Sequence, residues 1–124
     1  MIVYDTGALV AGERGNRGMW ALHEAALRDR LSPLVPAGVL AQAWRGGPQA
    51  NLSRLLAGCV VTPLDEPLAR AAGALCGKAR TADIVDASVV VLAQLAGAAI
   101  VTGDPADLHR LIEVGETEIS VHVI

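Results

Sequence analysis

The 124-residue sequence is long enough for one domain on one core, and its 52% hydrophobic and 19% charged composition excludes a disordered chain. A formal net charge of −3 excludes attraction of nucleic acid by the bulk field, so contact with phosphate must come from local cations or a metal. Tyr4, Trp20 and Trp44 are the only aromatics, which leaves the core to Leu, Val, Ile and Ala and argues against base stacking as the main mode of binding.

In chain order, Ile2 to Tyr4 is a β-branched and aromatic run that predicts a central strand, and Thr6 to Ala11 predicts a helix directly after it. Gly12 to Gly18 is polar and glycine-dense and reads as a flexible loop. Met19 to Arg30 carries its apolar residues at amphipathic helical spacing, and Pro33 ends it. Leu34-Val35 predicts a second strand, and Pro36 stands where a helix can begin without its missing N–H. A helix over Ala37 to Trp44 stops at Gly46-Gly47, and another over Pro48 to Leu56 stops at Gly58. Cys59 to Val61 predicts the third strand, and Asp65 caps a helix from Glu66 to Ala79. Thr81 is the expected N-cap of a helix running to Leu95 and closed by Gly97. Ala99 to Val101 is the fourth strand, Pro105 to Glu113 a helix, and Ile119 to Val123 an alternating edge strand.

Short apolar strands alternating with longer helices predict one α/β domain over residues 1–124, a sandwich around a mainly parallel sheet of four to five strands. Cys59 and Cys76 have neither metal spacing nor a disulfide framework, which suits buried thiols in a reducing compartment. No basic segment precedes an apolar one at the start, where Asp5 interrupts at once, and the longest apolar stretch, 87–101, is broken by Gln94 and Gly97. The expectation is a soluble cytoplasmic protein with no membrane contact.

The acids carry the chemistry. Asp5 follows the first strand, Asp86 precedes the apolar run Ala87-Ser88-Val89-Val90-Val91, and Asp104 follows the fourth strand. Ligands of open parallel sheets bind beyond the carboxyl ends of the strands. A carboxylate in such surroundings needs a cation or several donors. The three are therefore expected to meet in space and to hold Mg²⁺ or Mn²⁺, whose hard-oxygen preference suits them and whose charge offsets their repulsion. Thr6 and Thr102 would steady a carboxylate or a water from behind. Asp83 and Asp107 share a first helical turn with Asp86 and Asp104 respectively, and each is open to a capping role or a place in the site. His23, His109 and His122 are scattered, read as surface residues and suggest no zinc site. Of the ten basic residues nine are Arg, and Arg14, Arg17, Arg28, Arg30 and Arg45 could touch phosphates or merely solvate helix faces.

Four segments, in register, resemble the PIN-domain family and within it the VapC-type toxin ribonucleases: Met1 to Val10, Val35 to Arg45, Asp86-Ala87 and Val101 to Asp104. The resemblance implies a PIN fold and a Mg²⁺- or Mn²⁺-dependent endoribonuclease acting on RNA. It also implies a homodimer and a cognate antitoxin whose inserted basic side chain fills the acidic pocket. It assigns Asp5, Asp86 and Asp104 to the first, third and fourth family acids. The second, normally glutamate, falls on Gln42, which can ligate through its carbonyl but cannot act as a base. Glu13 is a candidate substitute. Asp104 or Asp86 would orient or deprotonate the attacking water. The alternative is a catalytically impaired PIN-like module that binds antitoxin or RNA without efficient cleavage. An antitoxin helix is expected on the apolar faces of Met19 to Leu31 and Leu52 to Leu56. Two other phosphoryl-transfer folds are excluded: Gly7 stands where a haloacid-dehalogenase phosphatase needs its second Asp, and Lys78 lies in a predicted helix where a receiver domain needs it after a strand.

Overall fold

The computed structural model describes all residues, 1–124. Five strands and seven helices follow in the order β1 (Ile2–Tyr4), α1 (Thr6–Glu13), α2 (Arg17–Arg28), β2 (Leu34–Pro36), α3 (Ala37–Ala43), α4 (Ala50–Ala57), β3 (Val60–Thr62), α5 (Glu66–Ala79), α6 (Ile84–Ala96), β4 (Ala99–Thr102), α7 (Ala106–Val114) and β5 (Val121–Val123). The strands form one sheet in the order β3-β2-β1-β4-β5, and every neighbouring pair is parallel rather than most of them. Parallel pairing demands a helical crossover between strands and covers both faces of the sheet. This explains why β1 and β4 read as continuous apolar runs: Val3, Tyr4, Ile100 and Val101 are all buried.

The helices cover the sheet in two groups. α6 lies across β1, β2 and β4 with α5 and α7 packed on it, while α1 lies against β1 and β4 and carries α2 and α4. The result is a three-layer α/β sandwich. From β1 the chain moves outward to β2 and β3, then returns to lay β4 on the other side of β1. The carboxyl ends of β1 and β4 therefore form the switch point of the sheet, where a crevice opens between diverging connections.

Several boundaries differ from expectation, each for a local reason. The presumed loop over 12–18 shrinks to residues 14–16, because α1 continues through Glu13 and Asn16 caps α2 by accepting from the Met19 N–H at 2.9 Å. Gly12 is a contact residue: a Cβ there would stand 2.8 Å from Leu55 Cδ2, so the glycine lets α1 and α4 approach. Asp83, not Thr81, caps α6, its carboxylate accepting from the Asp86 N–H at 3.0 Å, and the Thr81 hydroxyl instead accepts from Asp83 N–H. β5 begins at Val121 rather than Ile119.

The apolar stripes expected to receive a partner helix are mostly core. Met19, Ala26, Leu52 and Leu55 are buried, with only Leu27 of the large residues there well exposed. His23 is likewise not a surface residue. It is 1% exposed, and its Nδ1 lies 2.8 Å from the hydroxyl of fully buried Tyr4. Burial lowers the His23 pKa and raises that of Tyr4, so both stay neutral. A histidine on an amphipathic helix looks the same whether it faces water or core, and nothing local separates the two.

Candidate active site

Asp5 sits one residue past β1, and its backbone N–H donates to the Val101 carbonyl of β4 at 3.2 Å. Its side chain does two jobs at once. Oδ1 accepts from the Ala8 N–H at 2.9 Å and so caps α1, while Oδ2 accepts from the hydroxyl of Thr102. Thr102 is wholly buried at the end of β4, and its hydroxyl oxygen also accepts from the Asp104 N–H at 3.0 Å. One threonine thus ties the two acid-bearing loops together. The approach is close enough to require glycine: a Cβ on Gly7 would stand 3.1 Å from the Gly103 nitrogen and 3.4 Å from Asp5 Oδ1.

Asp5, Asp86, Asp104 and Asp107 line a single cleft of about 470 Å³ with Thr6, Gly7, Arg14, Asn16 and Gly103. The cleft lies beyond the carboxyl ends of β1 and β4. Asp5 is 5% exposed, Asp86 is half-buried, and Asp104 and Asp107 are exposed. Burial pushes the Asp5 carboxyl up, against the opposing hydrogen bonds from Thr102 and Ala8, and the nearby Asp104 charge adds to the rise. Asp86 is pushed up to about 7, first by burial, then by Asp83, and further by Asp5 and Asp107. Carboxylates that raise one another's pKa thus share this cleft, and strongly perturbed acids in a crevice mark functional sites.

The acids face a common space but are not yet gathered: no three acidic, His or Cys side chains stand close enough to share an ion. Their chemistry fits a hard divalent cation all the same. All donors are carboxylate oxygens, their repulsion is one that a cation relieves, and Asp104 and Asp107 are exposed enough to turn inward.

The remaining expected residues fall as follows. Thr6 lines the cleft, but its hydroxyl donates to Gln42 Oε1 rather than to an acid, which brings Gln42 of α3 to the rim. Gln42 is exposed and does not itself line the cleft. Glu13 does not line the cleft, and its carboxylate accepts from Gln49 Nε2 at 2.9 Å. Asp83 caps α6 and lines a smaller cavity with Asp86 and Asp107, and Asp107 faces the main cleft without capping α7. Arg14, a candidate phosphate contact by sequence, and Asn16, which sequence marked only as a loop residue, both line the cleft. Cys59 and Cys76 are free thiols, and burial raises both pKa values, that of Cys59 to about 12. No helix is long and apolar enough to cross a membrane.

The family model described as PIN domain matches residues 2–113. No curated protein matches the sequence. Among solved structures, FitAB bound to the IR36 DNA fragment is 16% identical, with 98% of this chain and 93% of that one covered at a TM-score of 0.66. FitAcB from Neisseria gonorrhoeae is 16% identical, with 98% and 96% covered at 0.62. PAE2754 from Pyrobaculum aerophilum is 20% identical, with 98% and 90% covered at 0.63. At these identities the likeness is one of fold.

Proposed function

The chain belongs to the PIN-domain family, and from that premise we propose that it is a Mg²⁺- or Mn²⁺-dependent endoribonuclease, the toxin of a type II toxin–antitoxin pair. One observation carries the reading: four carboxylates from three separate segments line one cleft at the switch point of the sheet, with Asp86 raised to about 7 by burial and then by the acids around it. Asp5, Asp86 and Asp104 would hold the ion, with Asp107 beside them. The chemistry such an ion supplies is a lowered water pKa and stabilisation of charge building on the phosphate.

This chain's own residues prepare that chemistry. Thr102 and the Ala8 N–H fix the Asp5 carboxylate, and the Gly7–Gly103 contact fixes how near the Asp5 and Asp104 loops stand. Asp86 or Asp104 would orient or accept a proton from the attacking water. RNA as substrate, the homodimer and the cognate antitoxin come from the resemblance to VapC-type toxins, while FitAB is solved on DNA. With the early apolar stripes buried in the core, an antitoxin's basic side chain in the acidic cleft becomes the stronger expectation for that contact.

Gln42 supports the second reading, a PIN-like module that binds antitoxin or RNA without efficient cleavage. Its amide oxygen accepts from Thr6 at the rim, where it supplies no charge. Cleavage of a structured RNA by purified protein with Mn²⁺, compared with Asp5→Asn, separates the two. The nuclease reading expects cleavage by the wild type alone. No cleavage by either folded protein favours the binding module. A crystal soaked in Mn²⁺ should show anomalous signal among Asp5, Asp86 and Asp104.

A further inference from the structure

Two guanidinium groups flank the carboxylates, and neither has an acidic partner. Arg14 lines the main cleft, and Arg110 lines a second cavity of about 100 Å³ that shares Asp86 and Asp107 with it. Asp86 and Asp107 thus form a wall between two spaces, with one arginine in each. The chain's single ion pair, Arg70 with Glu66, lies elsewhere. Only the Arg110 side chain has a backbone partner, and the Arg14 side chain has no hydrogen bond within the chain. The Arg14 N–H donates to the Val10 carbonyl at 3.0 Å and closes α1, while Arg110 Nη2 donates to the Ala79 carbonyl at the end of α5 at 2.8 Å.

A guanidinium whose purpose was to neutralise these acids would be expected to fork onto one of them, the strongest contact available to it. Both stand off, leaving donors free beside an acidic wall. A polyanionic strand entering this cleft is repelled by the acids and by the net charge of the chain. It therefore needs fixed cations on each side of the reacting phosphate. Resting on the nuclease reading above, we infer that Arg14 and Arg110 hold the RNA phosphates on opposite sides of the scissile one. The strand then crosses the Asp86–Asp107 wall from one cavity into the other.

The test is equilibrium binding of an oligouridylate over a range of salt concentrations, with Ca²⁺ in place of Mg²⁺ or Mn²⁺ and the RNA checked for integrity after each measurement. The proteins are wild type, Arg14→Gln, Arg110→Gln, the double variant and both Lys variants. Arg110→Gln shortens the side chain as well as removing its charge, so the Lys variant and a thermal melt of each protein control for loosening of α5 from α7. Each Gln variant should weaken binding roughly tenfold. Each should also flatten the slope of log affinity against log salt by about 0.7, and the double by about 1.4, with the Lys variants retaining the slope. An unchanged slope in either single Gln variant, while the wild type binds, overturns the two-sided arrangement and leaves the nuclease reading standing. A wild type that neither binds the oligonucleotide nor cleaves RNA removes that reading and this inference together.

Discussion

Thr102 donates its hydroxyl to Asp5 across the junction of β1 and β4, joining residues at opposite ends of the chain. Both groups are buried, so the bond is sheltered from competing water. Replacing Thr102 with Val keeps the shape and removes the donor. The Asp5 carboxylate then loses one of the interactions that oppose its pKa rise. The expected loss is about 1–3 kcal/mol of stability at pH 8, read from urea unfolding. Mn²⁺ affinity should fall as well. An unchanged midpoint would mean that Asp5 finds another donor.

Asp86 makes stability depend on pH. Its folded pKa, about 7, lies above its ordinary value of 3.8, so the folded state binds the proton more tightly than the unfolded chain does. The resulting stabilisation is fully present below about 4 and is lost as pH rises through about 7. Without metal, the urea midpoint of the wild type should therefore fall between pH 5 and pH 8. Asp86→Asn should flatten that fall and be the more stable protein at pH 8. Parallel curves for the two would show that Asp86 is not the titrating group.

Metal should reverse the same penalty. Adding Mn²⁺ at pH 8 is expected to raise the thermal midpoint of the wild type, and to do so less at pH 5.5, where protons compete for the carboxylates. Asp86→Asn should lose most of the rise. A midpoint indifferent to Mn²⁺ at both pH values would count against a divalent site.

Gln42→Glu restores a negative charge at the rim. Thr6 still has an acceptor for its hydroxyl, and Arg45, which already donates to the Gln42 carbonyl at 2.6 Å, brings a positive charge nearby. The variant is expected to bind Mn²⁺ several-fold more tightly, about 1 kcal/mol, by calorimetric titration, and to cleave RNA at least modestly faster. Equal affinity and rate would show that position 42 takes no part.

Gly7→Ala tests the closeness of the two loops. The added methyl meets the Gly103 backbone at 3.1 Å, where no flexible side chain can yield. Overpacking of this kind costs about 1–3 kcal/mol. The variant should melt earlier and bind Mn²⁺ more weakly, since Asp5 and Asp104 are moved apart.

The strands and the placement of Asp5 and Asp104 were legible because a fully buried parallel strand is a short apolar run and its end is marked by the first acid. The 12–18 segment misled for a physical reason. Glycine breaks helices in isolation, yet Gly12 serves a helix contact with Leu55, and that partner lies beyond any local window. The same limit hid Arg110 and left Arg14 one of five candidate arginines, since what distinguishes them is which cavity they line rather than their neighbours in sequence. Asp83 was readable both as a cap and as a site residue, and it does cap α6 through one oxygen while lining the smaller cavity beside Asp86.

Asp5 is fixed by the Ala8 N–H and Thr102, the first of which starts α1. Any attempt to silence this protein by truncating that side chain to alanine would also unravel the first turn of a core helix, and a dead sample could not be told from a damaged one. Asparagine retains an oxygen that can accept from Ala8 while discarding the charge. It is the substitution whose silence would speak about chemistry rather than about folding.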